Sequence, residues 1–311
     1  MKFRKVMAWV LLMMMAVSFA HGEEEAAPVP PFGDFSEKYS DLFLAPGQEA
    51  VQGELYYYSE NIFLEITPLR ELKSDIYIAD IYVRSVENFQ RAFGKDKWNS
   101  YTEKVLTISQ NNDAVLGMTG DNGHNLDAGW LVGNGKPLRK TQNRKRDLCL
   151  LYRDGVMETI EAQDIDYNVL KEKMANNEIW QCFLFGPALL DEEGKAKTKF
   201  NSDVGPANPR SVIGYYEPGH YCFVQIDGRG AASKLDKGNK SVGLKLSELS
   251  QLMEDLGCTA AYNLDGGQSS MMYFHGGLIS SPYKNGRKAG DIVLIKELPK
   301  APETGETANK E

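Results

Sequence analysis

Cysteine and histidine are scarce, four of each in 311 residues. Four cysteines are too few for a disulfide-dense scaffold, and 29 glycines and 13 prolines without a triplet period exclude a collagen-like chain. Positive charge is also short: 35 Lys+Arg against 43 Asp+Glu give a formal charge of −8, which argues against non-specific binding to nucleic acid. Internal repeats are absent. Only one long apolar run occurs, residues 6–17, and it is shorter than the ~20 residues a bilayer-spanning helix needs. What is present is the balance of a globular protein, 42% hydrophobic and 25% charged.

That one run follows Lys2, Arg4 and Lys5 and precedes small residues at −1/−3 spacing, Ser18 and Ala20 or Ala20 and Gly22. The three-part pattern predicts a secretory signal peptide over residues 1–22, cleaved near Ala20 or Gly22, with an uncleaved anchor as the alternative. No cysteine lies near the cleavage region, which speaks against a lipid anchor. The expected product is secreted or held in the cell envelope, without a stable membrane span. Losing the leader removes three positive charges and no acids, so the formal charge falls from −8 to −11. Residues 23–48 are rich in Glu, Ala and Pro and read as a linker, residues 298–311 as a disordered tail. The folded domain is expected over 49–297. Cys149, Cys182, Cys222 and Cys258 each sit in or beside an apolar run. Buried thiols are the favoured reading, with one or more bridges as the alternative among three possible full pairings.

Within those limits strands and helices alternate irregularly. Residues 54–58, 62–66 and 75–83 read as strands. Ser85 is placed as the cap of a short helix with Phe89 and Phe93 on one face. Residues 153–155 and 275–277 read as hairpin turns, Tyr167, Leu170 and Met174 as a helical stripe. The strongest helix is 247–256, with Ser247 as N-cap and Gly257 as its stop. A buried strand, 258–264, and a final strand, 291–296, complete the set. The expected class is α/β (α+β): a mixed β-sheet with flanking helices in a single catalytic domain.

The most informative stretch is Asn263-Leu264-Asp265-Gly266-Gly267-Gln268-Ser269-Ser270. An apolar strand ends in a carboxylate, and two glycines let the backbone turn sharply beside a ligand and aim N–H groups at an anion. A plain tight turn is the competing reading. Three further segments have the same strand-and-polar form: Thr119-Gly120-Asp121, Asp227-Gly228-Arg229 and Asn208-Pro209-Arg210. Carboxylates at the ends of apolar runs can converge at one sheet rim. Arg210 and Arg229 suit phosphate, because guanidinium bonds it bidentately; structural ion pairs are the alternative.

NLDGGQSS resembles the NLDGGGSS signature of the phosphodiester glycosidase family, whose bacterial members are described as exopolysaccharide biosynthesis proteins. Residues 116–139, the FGP at 185–187, NPRSVIG at 208–214, IDGR at 226–229 and GLKLSEL at 243–249 resemble family elements in the same order. The departures are Thr119 for Asn, Asn122-Gly123 for an aromatic pair, Gln268 for the third glycine and Met271 for Thr. The resemblance implies hydrolysis of a sugar-1-phosphodiester. It assigns the phosphate to Arg210 with the N–H groups of Gly266 and Gly267, and places Arg229 and Thr119 at the substrate. Asp265 and Asp121 become the carboxylate pair, Asp227 and Glu248 further acids or orienting groups. Ser269 and Asn263 would bond sugar hydroxyls or phosphate oxygens.

No cofactor or metal is expected. Asp121, Asn125 and Asp127 are closely spaced oxygen ligands that suggest calcium, but not with EF-hand spacing. His124 and His275 are weaker acid–base candidates, His220 reads as structural, and Tyr273 or Trp130 are candidates for stacking on a sugar. The partner is a glycan or sugar phosphate. Two other classes stay open: a non-catalytic carbohydrate-binding protein on the same fold, and a hydrolase cutting the P–O bond.

Overall fold

Among the described residues, three large antiparallel sheets close around one interior, each with a helix on its outer face, and a fourth sheet is the two-stranded pair Ala231–Ala232 and Lys240–Ser241. The computed structural model describes residues 29–99 and 101–299. The expected signal peptide, the start of the linker and the tail from residue 300 lie outside the described residues. The largest sheet has seven strands, in the order Val51–Gln52, Tyr56–Tyr58, Ile62–Glu71, Ser74–Val83, His220–Ile226, Arg210–Glu217 and Ala260–Asn263. A second sheet is built on Leu148–Tyr152 and Ile179–Phe183, a third on Ala114–Thr119 and Asp291–Lys296. Among the described residues every strand pairing is antiparallel.

The strands read as unbroken apolar runs because both faces are covered. Along His220–Ile226, Tyr221 and Phe223 enter the central core, while Cys222, Val224 and Ile226 face helix α3 (Leu246–Asp255). Along Leu148–Tyr152, Cys149 and Leu151 point inward, and Leu148 and Leu150 pack outward with residues of helix α2 (Tyr167–Ala175). Val293 and Ile295 likewise face the core, and Ile292 and Leu294 meet residues of helix α1 (Val105–Asn111). The result is a single domain, predominantly β with three helices. The expected balance of sheet and helix was therefore too helical, and the mixed sheet is replaced by antiparallel ones.

One expected element changes identity, and another keeps its identity with a shifted start. Phe89–Phe93 is a strand paired with Asp291–Lys296, preceded only by a 3-10 turn that Ser85 caps. Phe89 enters the central core, so tertiary pairing overrides the helical spacing. Helix α3 starts at Leu246 with Lys245 in the N-cap position, not Ser247. From Phe32 the expected linker is packed: Phe35 is buried, its N–H donates to the Arg84 carbonyl at 2.7 Å, and Phe32 meets Trp180 edge-on. No described helix is long and apolar enough to cross a membrane.

Candidate active site

Strand order explains why distant segments meet. Arg210 opens its strand opposite Ile226, the last residue of one neighbour, and Val212 lies opposite Asn263, the last residue of the other. The three loops leaving that rim, 208–210, 227–229 and 264–268, are therefore side by side. The third sheet joins them where the Gly120 carbonyl accepts the Asp265 N–H at 3.0 Å.

A cavity of ≈ 230 Å³ opens between these loops. Arg210, Arg229 and Arg287 line it together with one carboxylate, Asp265, and the side chains of Asn263 and Gln268. Arg210 is 2% exposed. Its Nε donates to the Leu244 carbonyl at 3.0 Å, and its Nη2 to those of Val204 and Pro206, each at 2.7 Å. Burial lowers its pKa to about 10, with repulsion from Arg229 adding to the effect, so it stays cationic at neutral pH. Arg229 bonds the Asn208 amide oxygen through Nε at 2.8 Å. Among the described residues neither arginine is paired with a carboxylate. A buried cation held only by carbonyl dipoles retains charge to offer an anion.

The signature turn is shaped to admit these groups. Gly267 has φ +64°, and a Cβ there would stand 2.9 Å from Arg229 Nη1. A Cβ on Gly266 would lie 2.6 Å from the Pro209 carbonyl oxygen. Only glycine lets the turn press against both neighbours. The Gly267 N–H is already given to the Pro209 carbonyl at 2.9 Å, so its expected role toward an anion is withdrawn.

Asp265 is 5% exposed, and burial raises its pKa, while Ser269 and Arg287 pull it back down. Arg287 Nη2 donates to Asp265 Oδ2 at 3.0 Å and Arg287 Nε to Ser269 Oγ. Ser269, wholly buried, thus orients the arginine. Asn263 gives its amide hydrogens to the carbonyls of Gly186 and Leu264, and its buried Oδ1 accepts no hydrogen bond from the described residues.

Several expected site residues lie outside the cavity. Asp121 has no exposed surface, its carboxylate accepts the N–H groups of Leu184 and Phe185 at 2.6–3.0 Å, and it meets Arg91 at 3.4 Å. Burial pushes its pKa to about 6 against the pull of Arg91. It braces the cavity wall from behind. Asp227, 1% exposed, accepts the Ser281 N–H at 2.7 Å, and burial raises its pKa to about 7. Glu248 takes the Lys245 N–H at 2.8 Å and serves the helix start. Thr119 donates to the Ser269 carbonyl at 2.5 Å and accepts the Met271 N–H at 3.1 Å, stitching the third sheet to the turn. Trp130 and Tyr273 are buried in outer-face cores, and His220 stacks between Tyr82 and Tyr216 while bonding Asp80.

Three contributors escaped the sequence reading. Arg287 sits between Gly286 and Lys288 in a loop without any motif, so it reads as a surface cation. Asp291, which accepts from Arg91 and from the N–H groups of Asp121 and Asn122, looked like an ordinary strand start. Phe185 belongs to the FGP element, which by itself says nothing of a cavity, yet it is one of the cavity's lining residues.

A family model described as phosphodiester glycosidase matches residues 106–296, more than half of the chain. The catalytic domain of zebrafish N-acetylglucosamine-1-phosphodiester alpha-N-acetylglucosaminidase, auto-inhibited by its pro-peptide, superposes with a TM-score of 0.55 at 17% identity, covering 76% of this chain and 83% of that one. A hypothetical protein from Synechocystis gives 0.55 at 12% identity, over 80% and 64%. In sequence, the SPbeta prophage-derived uncharacterized protein YomE of Bacillus subtilis (strain 168) is 26% identical over 137 residues, 43% of this chain. The match spans only 19% of that relative's length. At such identities the structural likeness speaks for the fold.

Proposed function

Because the chain belongs to the phosphodiester glycosidase family, we propose that it is an exported hydrolase cleaving the glycosidic bond of a sugar-1-phosphodiester in a glycan or cell-envelope polysaccharide. One observation carries the reading. A chain of formal charge −8 gathers three arginines around a single carboxylate in one cavity. That local reversal of sign suits a ligand bearing a phosphate beside an uncharged sugar.

In this reading the phosphodiester lies on Arg210 and Arg229. Their charges are in place before the reaction, and they stabilise the phosphate as it departs. A phosphate monoester leaves readily as an anion, so the second carboxylate of an ordinary glycosidase is dispensable. Asp265 faces the anomeric carbon, stabilises its oxocarbenium-like charge and accepts the proton of the attacking water. Arg287 and Ser269 counter the effect of burial on that carboxylate and hold it in one orientation. The Asn263 amide oxygen is available to a sugar hydroxyl.

The test is turnover of a panel of sugar-1-phosphodiesters in oxygen-18 water. Label in the released sugar supports C–O cleavage; label in the phosphate sinks the proposal. A second reading, a binding protein for phosphorylated glycans, is favoured by the lone carboxylate, since glycoside hydrolysis ordinarily uses two. Tight binding without product on any diester would favour it.

A further inference from the structure

The sulfurs of Cys222 and Cys258, 36 residues apart in the chain, lie 3.8 Å from each other. Both belong to the outer-face core that α3 covers. The strand opposite makes room for them: Gly214 is in register with Cys222, and a Cβ there would stand 2.5 Å from one sulfur and 2.8 Å from the other. The other two cysteines are arranged differently. Cys149 points into the central core and Cys182 into the outer core of the second sheet, so their sulfurs sit on opposite faces.

We propose that Cys222 and Cys258 are a disulfide-forming pair, an oxidation site that ties the strand His220–Ile226 to the turn after α3. Bonding brings the sulfurs from 3.8 Å to about 2.05 Å. A low-molecular-weight disulfide is the oxidant. The Cys258 thiolate, at the slightly exposed position, attacks one of its sulfurs and expels a small thiolate, which takes a proton. The Cys222 thiolate then attacks the Cys258 sulfur of the mixed disulfide and expels the second small thiol. Two protein thiols and one small disulfide become one protein disulfide and two small thiols. Because both groups are buried, exchange occurs during folding or on local opening of the α3 end.

The loop so closed contains Arg229 and the Leu244 carbonyl that holds Arg210, while the bond itself lies on the helix-covered face, outside the cavity lining. It restricts the unfolded chain more than it changes the site. The inference is independent of the reaction proposed above, and its test reads no activity.

Purified full-length protein is equilibrated in glutathione buffers of rising oxidised fraction, denatured, alkylated and mapped by mass spectrometry. The expected result is one cross-linked peptide pair joining Cys222 to Cys258, with Cys149 and Cys182 alkylated. The oxidised form should melt about 5–15 °C above the reduced form, a difference that Cys222→Ala removes. Should that variant fail to fold, the wild-type map still decides. Alkylation of all four thiols after full oxidation, or a link involving Cys149 or Cys182, overturns the proposal.

Discussion

Arg287 reaches back 22 residues to place its Nη2 3.0 Å from Asp265 Oδ2, so the carboxylate at the cavity is held by a cation from a different loop. Burial raises the Asp265 pKa and this arginine lowers it. Removing the guanidinium leaves only the Ser269 hydroxyl to oppose the burial effect. Arg287→Ala is therefore expected to move the acid limb of kcat/KM to higher pH, because a larger share of Asp265 is protonated at a given pH. Asp265→Asn keeps the shape and abolishes the base, with a loss of about 10²–10⁴-fold in kcat and little change in melting temperature. Sugar release measured across pH 4–8 checks both, and an unmoved acid limb in Arg287→Ala refutes the coupling.

Arg210 donates only to backbone carbonyls, which do not neutralise its charge. Arg210→Lys keeps a cation but loses the planar fork that serves Leu244, Val204 and Pro206 together. The expected outcome is a rise of tenfold or more in the dissociation constant for inorganic phosphate, read by calorimetry, with a fall in stability of about 1–3 kcal/mol. Unchanged phosphate affinity would remove Arg210 from the anion site.

Gly267→Ala tests the contact between the signature turn and Arg229. The residue has φ +64°, and the added methyl would stand 2.9 Å from Nη1. Backbone strain of about 1 kcal/mol is expected together with displacement of the guanidinium. Phosphate affinity should weaken several-fold while α3 and the sheets stay intact by circular dichroism. Equal affinity in variant and wild type would mean that Arg229 does not touch the ligand.

Asp121 carries a structural expectation in place of the catalytic one. Its removal leaves the buried Arg91 guanidinium with Asp291 as its one carboxylate partner among the described residues and frees the N–H groups of Leu184 and Phe185. Asp121→Ala is expected to cost about 3–5 kcal/mol, and Asp121→Asn less. Urea unfolding of both separates this from Asp265→Asn, whose defect should be kinetic. A stable, inactive Asp121→Ala would restore the catalytic assignment.

What the sequence made legible follows from the physics of each residue. The turn 263–268 stood out because glycines after a carboxylate are costly unless the backbone must come close to something, and Gly266 and Gly267 do. Arg210 and Arg229 stood out because arginines at strand ends near such a turn suit an anion. The acids misled because an aspartate after an apolar run looks the same whether it faces a cavity or the interior: Asp121 and Asp227 turn inward to backbone N–H groups, Asp265 turns to the cleft. Helix was overestimated at Phe89 and Phe93, since a four-residue aromatic spacing fits a strand covered on both faces equally well. Arg287 was invisible because it is brought to the site by tertiary folding alone.

Asp227 supplies the pH dependence. Its carboxyl, with an unfolded value near 3.8, is raised to about 7 in the folded state, chiefly by burial. The native state therefore prefers the protonated form. That preference stabilises the fold fully below pH 3.8 and is lost progressively as pH rises through 7. At pH 8 the loss amounts to about 4 kcal/mol relative to acid, on the order of three pKa steps. Asp227→Asn cannot ionise, and its amide oxygen, turned to the place of Oδ2, can accept the Ser281 N–H. The stability of this variant relative to wild type should grow between pH 4 and 7 and level off above that range. Chemical denaturation at half-unit pH intervals measures the difference directly, because other titrating groups cancel between the two proteins. A difference that stays flat over that range would mean that Asp227 is ionised in the folded protein and stabilised there by contacts stronger than the Ser281 N–H.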